Sequence, residues 1–359
     1  MNARRACSLV FAMCLLVSGG VAAAATQTPT PHSPELQHRL DELVHAARPG
    51  MLGITVIDLQ SGQAWRSNAG RAFPMMSVFK APVAAAVLAG IEQGRWSFDQ
   101  TVVVQRDELE SGTIRDHFQG ERMRFTVRQL LTDAVSHSDN TAADTLLKII
   151  GGPQVVTTFL RAHGIEGMRV DLGERGFRPV FEDLRPGQSP PAHETDARQL
   201  ARLRRGYRAY LADPRNRSTP DAAADFLRKL WNKELLSPAS TAYLLDLMYA
   251  QTTPSRLRLG LPPSVRLADK CGTSYTLEHT TAAYNDIGIL TWPDGHAVAV
   301  AAFLTASTAP KNARDAIFAD LTRAVVAALH PRDAAAPNAP NAPARRSRGT
   351  SAAPAGSGR

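Results

Sequence analysis

Residues 73–94 read FPMMSVFKAPVAAAVLAGIEQG. The apolar run predicts a buried helix from 77 to 91 that stops at Gly94. Ser77 and Lys80 lie three residues apart at its start, so both side chains share one face beside the free backbone N–H groups of the helix N-terminus. A neutral lysine can take the proton of a serine, and this end of a helix favours developing negative charge. The pattern predicts a nucleophilic serine; the alternative is a helix-capping serine beside a surface lysine.

Two further polar motifs follow along the chain. Ser138-Asp139-Asn140 links two predicted helices, 127–135 and 142–150; the alternative interpretation is a helix N-cap. Lys270-Cys271-Gly272-Thr273 ends a predicted strand, 265–273. A lysine in an apolar strand is costly to bury without a partner, and the alternative is an exposed lysine on an edge strand. Gly272 indicates that another segment approaches the backbone closely.

The distribution of patterns along the chain predicts an α+β fold. Strand patterns occur near both ends, at 52–59, 64–66, 265–273, 286–292 and 297–305, and helical patterns fill the middle. The simplest packing is an antiparallel β-sheet flanked by the terminal helices, plus an all-helical lobe. We expect a sheet lobe formed by 33–73 and 255–330, a helical lobe formed by 74–254, and an insertion at 207–224. A cleft between the lobes is the expected ligand site.

The two termini have compositions of their own. Arg4 and Arg5, an apolar run at 6–17 and small residues before Ala25 predict a signal peptide, 1–25, and a periplasmic or secreted protein; the alternative is a retained anchor. Cleavage leaves Cys271 as the single cysteine, so no intramolecular disulfide can form. Residues 331–359 are rich in Ala, Pro, Asn, Gly and Ser, which predicts a disordered tail.

The net charge is concentrated at the ends. The chain carries a formal charge of +8, but the signal peptide and the tail hold most of it and leave the body near +2. The body has no basic run, and aromatic residues make up only 6% of the chain, so we expect no nucleic-acid partner. No His/Cys/Asp cluster has metal-ligand spacing, so we expect neither a metal nor another cofactor.

Taken together and in this order, the three motifs resemble those of the class A serine β-lactamases and their penicillin-recognising relatives, over roughly residues 35–329. The resemblance implies that Ser77 is the acylated nucleophile, that Lys80 activates it and that Ser138 relays a proton to the leaving nitrogen. It also implies an oxyanion hole made by the backbone N–H groups of Ser77 and Thr273. The substrate-binding residues that it implies are Asn140, Lys270, Gly272 and Thr273. Arg256 is added because some relatives have an arginine at the matching place; the alternative is a surface arginine.

The resemblance also implies a second base for hydrolysis, on an active-site loop near 170–195. Glu174 follows Ser138 by 36 residues, which matches the family interval, and Glu182 is the alternative. Two residues depart from the family pattern. Cys271 replaces a Thr or Ser, and its thiol is a weaker hydrogen-bond donor. Arg178 stands where an Asn helps to hold the hydrolytic water, and a guanidinium cannot accept a hydrogen bond.

The sequence therefore predicts an exported, monomeric, metal-free serine hydrolase that opens β-lactam rings through an acyl-serine intermediate. Two alternatives remain open at this point. One is a D-alanyl-D-alanine peptidase or esterase on the same scaffold. The other is a penicillin-binding sensor that is acylated without turnover, which the departures at Cys271 and Arg178 would favour.

Overall fold

A computed structural model describes residues 33–331 of the chain. The predicted signal peptide, 1–25, and residues 332–359 of the predicted tail lie outside the described residues. Within 33–331, no helix is both long enough and apolar enough to cross a bilayer.

An antiparallel sheet forms the centre of the fold, with strand order β2-β1-β10-β9-β7, and the short strand β8 pairs with β9. Two small two-stranded sheets, β3–β6 and β4–β5, lie apart from it. The strands are β1 Met51–Asp58, β2 Ala64–Ser67, β3 Phe73–Pro74, β4 Thr101–Gln105, β5 Arg122–Thr126, β6 Arg217–Ser218, β7 Arg266–Thr273, β8 Thr276–Leu277, β9 Thr280–Thr291 and β10 Ala297–Ser307.

Helices cover both faces of the sheet and build the rest of the molecule. The α-helices are α1 Pro34–Ala46, α2 Lys80–Glu92, α3 Thr113–His117, α4 Val127–Val135, α5 Asn140–Ile150, α6 Pro153–Ala162, α7 Glu174–Phe181, α8 Asp196–Ala212, α9 Pro220–Trp231, α10 Pro238–Tyr249 and α11 Lys311–Leu329. Short 3-10 helices occupy Met76–Phe79, Arg106–Glu108 and Arg256–Gly260.

The sheet separates two hydrophobic cores. On one face, α1 and α11 bury leucines and Phe318 against Val56 and Val300. On the other face, Ile287 and Phe303 pack towards α2 and α9, whose core includes Phe226. Each fully buried Leu or Phe contributes roughly 1.5–3 kcal/mol relative to an exposed one. The N-terminal and C-terminal strands are therefore held in one sheet by helices on both sides.

The α+β fold class is confirmed, and most predicted elements are present. Ser33 caps α1 by accepting a hydrogen bond from the Leu36 N–H at 3.2 Å. The helices predicted at 127–135 and 142–150 are present as α4 and α5, and the predicted strands are present, although β9 begins earlier, at Thr280. One expectation was wrong. The lobe predicted to be all-helical also contains the β4–β5 and β3–β6 pairs. The range 207–224, which is predicted to be an insertion, includes the end of α8, all of β6 and the start of α9.

Candidate active site

Ser77 and Lys80 lie at the entrance to α2, where the 3-10 helix Met76–Phe79 passes into it. The Lys80 Nζ donates to Ser77 Oγ at 2.9 Å and to the backbone oxygen of Ser138 at 2.7 Å. It also donates to Asn140 Oδ1. Lys80 is fully buried, so the alternative of a surface lysine is wrong. The Lys80 side chain thus connects Ser77 with the Ser138-Asp139-Asn140 motif.

Glu174 completes this cluster from the first residue of α7. Its Oε1 lies 3.1 Å from the Lys80 Nζ and accepts a hydrogen bond from Ser77 Oγ at 3.4 Å. The alternative base, Glu182, follows the last residue of α7, two helical turns and about 12 Å further along the axis. The structure therefore brings Glu174, and not Glu182, to the serine.

Asp144, on α5, fixes the start of α7. Its two carboxylate oxygens accept from the N–H groups of Glu174, at 2.7 Å, and Arg175, at 2.8 Å. A side chain at Gly173 would come within 2.3 Å of the same carboxylate and would displace it. Burial raises the pKa of the Asp144 carboxyl to about 6, although both N–H bonds favour its ionised form. Sequence reasoning missed Asp144; its position one helical turn after Asn140 was the available signal.

Ser138 and Lys270 face each other across the site. The Lys270 Nζ donates to Ser138 Oγ at 2.8 Å and to the backbone oxygen of Cys271 at 3.2 Å. Although β7 is an edge strand, Lys270 is fully buried, so the alternative of an exposed edge lysine is also wrong. The pKa of Lys270 is lowered to about 8, mainly by burial; the charge of Lys80 contributes to this shift, and Cys271 opposes it.

The N-cap interpretation of the second motif also holds, but for Asp139 alone. Its Oδ1 accepts from the Ala142 N–H at 2.7 Å, which caps α5, and its Oδ2 accepts from the Ile114 N–H at 2.8 Å. Ser138 has a φ of 58°, in the left-handed region that non-glycine residues seldom adopt. Capping by Asp139 therefore leaves the side chains of Ser138 and Asn140 free to face the site.

Strand β7 approaches the nucleophile through Gly272. A Cβ at this position would lie 2.4 Å from the backbone oxygen of Met75 and 3.2 Å from the backbone nitrogen of Ser77. The side chain of Asn285, which pairs with Gly272, donates to the backbone oxygen of Pro74 at 2.7 Å. The close approach expected at Gly272 is thus found, and it brings the end of β7 alongside the N–H of Ser77.

Arg256 is almost completely buried, so the structure gives it a specific environment. Its guanidinium group donates to Thr273 Oγ1 and, at 2.9 Å, to Ser255 Oγ, and it lies 3.9 Å from the ring centroid of Tyr284. Arginine is suited to a carboxylate because its donors form a planar fork. Arg256 and Thr273 therefore place adjacent donors at the end of β7.

Cys271 is also buried, and its Sγ accepts from Gln251 Nε2 at 3.0 Å. Burial by itself would raise the pKa of the thiol, but the charges of Lys270 and Arg256 outweigh it and the pKa is lowered. The thiol thus lies within the positive field of the site.

Arg178 lies one turn after Glu174 on α7 and is paired with Glu110. Its Nη1 is 3.4 Å from Glu110 Oε2, while Arg175 approaches the other oxygen of Glu110 at 3.5 Å. The residue after Glu110, Ser111, accepts from Asn140 Nδ2 at 2.9 Å. The two arginines therefore share the carboxylate of Glu110, the residue before the Ser111 that contacts Asn140. Within residues 33–331, no group of three or more His, Cys, Asp or Glu side chains has the arrangement of a metal site.

Comparison with known proteins agrees with this geometry. A family model described as "Beta-lactamase enzyme family" matches residues 35–329. The extended-spectrum β-lactamase PER-1 of Pseudomonas aeruginosa is 31% identical over 295 residues, which cover 81% of this chain and 86% of that protein. The β-lactamase VEB-1 of the same species is 29% identical, covering 79% and 86%.

Solved structures give the same result. An ancestral class A β-lactamase, that of the last common ancestor of Gram-negative bacteria, matches with a TM-score of 0.67 and 35% identity, covering 82% of this chain and 99% of that one. A β-lactamase from Chitinophaga pinensis matches with a TM-score of 0.68 and 29% identity, covering 81% and 97%. The chain therefore belongs to the class A β-lactamase family.

Proposed function

We propose that this β-lactamase opens the lactam ring by attack of Ser77 Oγ on the carbonyl carbon, with the Lys80–Glu174 pair receiving the serine proton. The observation that carries the proposal is the position of Ser77 Oγ, 2.9 Å from the Lys80 Nζ and 3.4 Å from Glu174 Oε1. A serine hydroxyl is a weak nucleophile until an adjacent base removes its proton. Breaking the lactam C–N bond then gives an acyl ester on Ser77.

The leaving nitrogen needs a proton, and Ser138 is suited to supply it. Its hydroxyl is 2.8 Å from the Lys270 Nζ, and its backbone oxygen is 2.7 Å from the Lys80 Nζ. A general acid works best when its pKa is close to the operating pH, and the pKa of Lys270 is about 8. Lys270 therefore replaces the proton that Ser138 gives to the nitrogen.

Stabilisation of the oxyanion comes from the backbone N–H groups of Ser77 and Thr273. The tight contact at Gly272 supports this role, because it sets the spacing between the two segments. Removing one such donor typically costs 10²–10³-fold in kcat. Lys270, Thr273 and Arg256 receive the carboxylate of the substrate, and Asn140 receives the amide of its side chain.

Hydrolysis of the acyl ester requires a water molecule, which Glu174 activates. The N–H bonds to Asp144 hold Glu174 at the start of α7 for this role. Arg178 forms an ion pair with Glu110 and contributes no acceptor for the water. The expected cycle is therefore fast acylation followed by deacylation that depends on Glu174 alone.

Intact-protein mass spectrometry during turnover of a penicillin tests the assignment. Glu174→Gln is expected to accumulate a penicilloyl adduct on Ser77 that the unchanged protein clears, and Glu182→Gln is the matched control that clears it normally. An unchanged adduct lifetime in Glu174→Gln would reject Glu174 as the deacylating base. A permanent adduct in the unchanged protein would identify a sensor instead.

We propose a cellular setting that the composition of residues 1–25 supports. The protein is exported, the signal peptide is cleaved near Ala25, and the mature chain acts as a periplasmic or secreted monomer without metal or cofactor. N-terminal sequencing of the protein recovered from the periplasm, together with its mass in solution by light scattering, tests both statements. An intact Met1 or a dimeric mass would contradict them.

A further inference from the structure

Helix α8 belongs to a long loop that carries Glu174 and closes on itself. At the base of this loop, Asn216 Oδ1 accepts from the N–H groups of Asp171, at 2.6 Å, and Leu172, at 2.9 Å. The Asn216 Nδ2 donates back to the Leu172 oxygen at 2.8 Å. A compact surface loop usually has 6–16 residues, whereas the loop whose two ends are joined by Asn216 contains both α7 and α8. The loop is therefore large enough to reach other parts of the site.

Tyr207, on α8, is hydrogen-bonded to the β7–β9 connection. Its hydroxyl lies 2.9 Å from the backbone oxygen of Tyr275 and 2.7 Å from that of Thr280, and it accepts from the N–H of Ala282 at 2.5 Å. These three groups flank the turn that immediately follows Thr273. The Tyr207 hydroxyl thus fixes the path of the chain directly after Thr273.

Tyr210, one turn later on the same helix face, contacts the segment before the nucleophile. Its hydroxyl donates to Met76 Sδ at 2.8 Å, and its ring stacks on Phe181 with centroids 3.9 Å apart. Met76 directly precedes Ser77 and has a φ of 47°, a left-handed conformation that must be held by its surroundings. Tyr210 is one of the side chains that hold it.

The helix that carries both tyrosines is itself anchored to α7. A Cβ at Gly206 would lie 2.2 Å from the backbone oxygen of Phe181, so only glycine allows α8 to pack this closely. Arg202 donates to the backbone oxygen of Glu182, which follows α7, and Arg205 pairs with Asp183 at 2.8 Å. Since α7 begins at Glu174, α8 is fixed relative to Glu174 as well as to the β7–β9 connection.

We propose that α8 braces the oxyanion hole, with Tyr207 positioning the Thr273 N–H and Tyr210 positioning the Ser77 N–H. This inference rests on the proposed function, which assigns those two donors. Neither tyrosine touches the reacting atoms, so both are positioning residues. Their loss would lengthen the hydrogen bonds to the oxyanion and slow acylation, because a preorganised donor acts only when it lies about 2.7–3.1 Å from the oxyanion.

The test uses Tyr207→Phe and Tyr210→Phe, which remove one hydroxyl each and keep the ring in its aromatic cluster. Tyr243→Phe is the matched control. Its hydroxyl is buried but has no hydrogen-bond partner among the described residues, and its ring packs against Phe98. Stopped-flow measurement of the acylation rate is expected to show a fall of about tenfold in each test variant and no change in the control.

A spectroscopic readout separates positioning from simple stabilisation. A penicillin labelled with ¹³C at the lactam carbonyl is trapped as the ester on Ser77 in the Glu174→Gln protein. The infrared band of that ester is expected to move to higher frequency when Tyr207→Phe or Tyr210→Phe is added, because weaker hydrogen bonds leave a stiffer carbonyl bond.

The outcomes distinguish failure of the proposed brace from failure of the proposed function. A lower Tm with an unmoved carbonyl band and an unchanged acylation rate would overturn the brace and leave only a stabilising role. Tyr207 and Tyr210 act on different N–H donors, those of Thr273 and Ser77. Each variant therefore tests the brace independently of the other. By contrast, absence of any adduct on Ser77 in the Glu174→Gln protein with both tyrosines intact would refute the proposed function instead.

Discussion

Lys270 is expected to set an alkaline limit on the activity of this enzyme. Burial lowers the pKa of this side chain from its usual 10.5 to about 8. In the proposed mechanism, this positive charge attracts the substrate carboxylate and supplies a proton towards Ser138. With a pKa of about 8, roughly a tenth of the free enzyme keeps this proton at pH 9. We therefore expect kcat/KM to fall about tenfold between pH 7 and pH 9.

The effect on stability has the opposite sign, which separates it from unfolding. Between pH 8 and 10.5 the unfolded chain retains a proton that the folded chain has lost, so the contribution of Lys270 to the free energy of unfolding rises with pH across this window. Each tenfold step in a protonation equilibrium corresponds to about 1.4 kcal/mol, so this contribution is at most about 3 kcal/mol. Activity is lost while this stability term increases.

The assay is the pH profile of kcat/KM, which reports the free enzyme, next to that of kcat, which reports the complex. Binding of an anionic substrate favours the charged lysine, so the limit in kcat is expected at higher pH than the limit in kcat/KM. Lys270→Arg should move the limit beyond pH 10, since arginine stays protonated. The control Lys311→Arg changes an exposed lysine that pairs with Asp315. A limit near pH 8 that persists in Lys270→Arg would refute the reasoning.

Three substitutions test other parts of the site. Gly272→Ala is expected to lower the acylation rate at least 100-fold, because the new methyl group would lie 2.4 Å from the Met75 oxygen; single-turnover kinetics that match the unchanged protein would contradict the tight contact. Arg178→Asn supplies a side-chain acceptor and should speed deacylation severalfold, measured as a shorter adduct lifetime; an equal or longer lifetime would show that Arg178 already fits this loop. Cys271→Thr should lower KM about threefold because a hydroxyl is the stronger donor, whereas a higher KM would show adaptation to the thiol.

Much of the site could be predicted because its chemistry is encoded locally. Ser77 and Lys80 face each other simply because they are three residues apart at a helix start. The glycine in the third motif indicated a close backbone contact, and the structure has one at Met75. Glu174, by contrast, was selected over Glu182 only from its interval in the family pattern, since nothing local distinguishes the two carboxylates.

The remaining features depend on contacts between distant parts of the chain. Tyr210 and Met76 are 134 residues apart in sequence, and Asp144 caps a helix that begins 30 residues later. Neither contact produces a periodic pattern in the sequence from which it could be predicted. The β4–β5 pair was missed because its strands are short and only partly buried, so an alternating apolar pattern is weak. Arg256 was undecided because burial of an arginine depends on partners that no local pattern predicts.

The charge distribution around the two buried lysines suits the site to an anionic substrate. Lys80 already has a carboxylate, Glu174, at 3.1 Å. The hydrogen-bond partners that the structure gives the Lys270 ammonium are both neutral, the Ser138 hydroxyl and the Cys271 backbone oxygen. Burial of an ammonium without a contacting anion is unfavourable, which is the main cause of the lowered pKa. A substrate carboxylate placed there would compensate the charge, so binding energy would be gained at the residue that, in the proposed mechanism, next helps to protonate the leaving nitrogen.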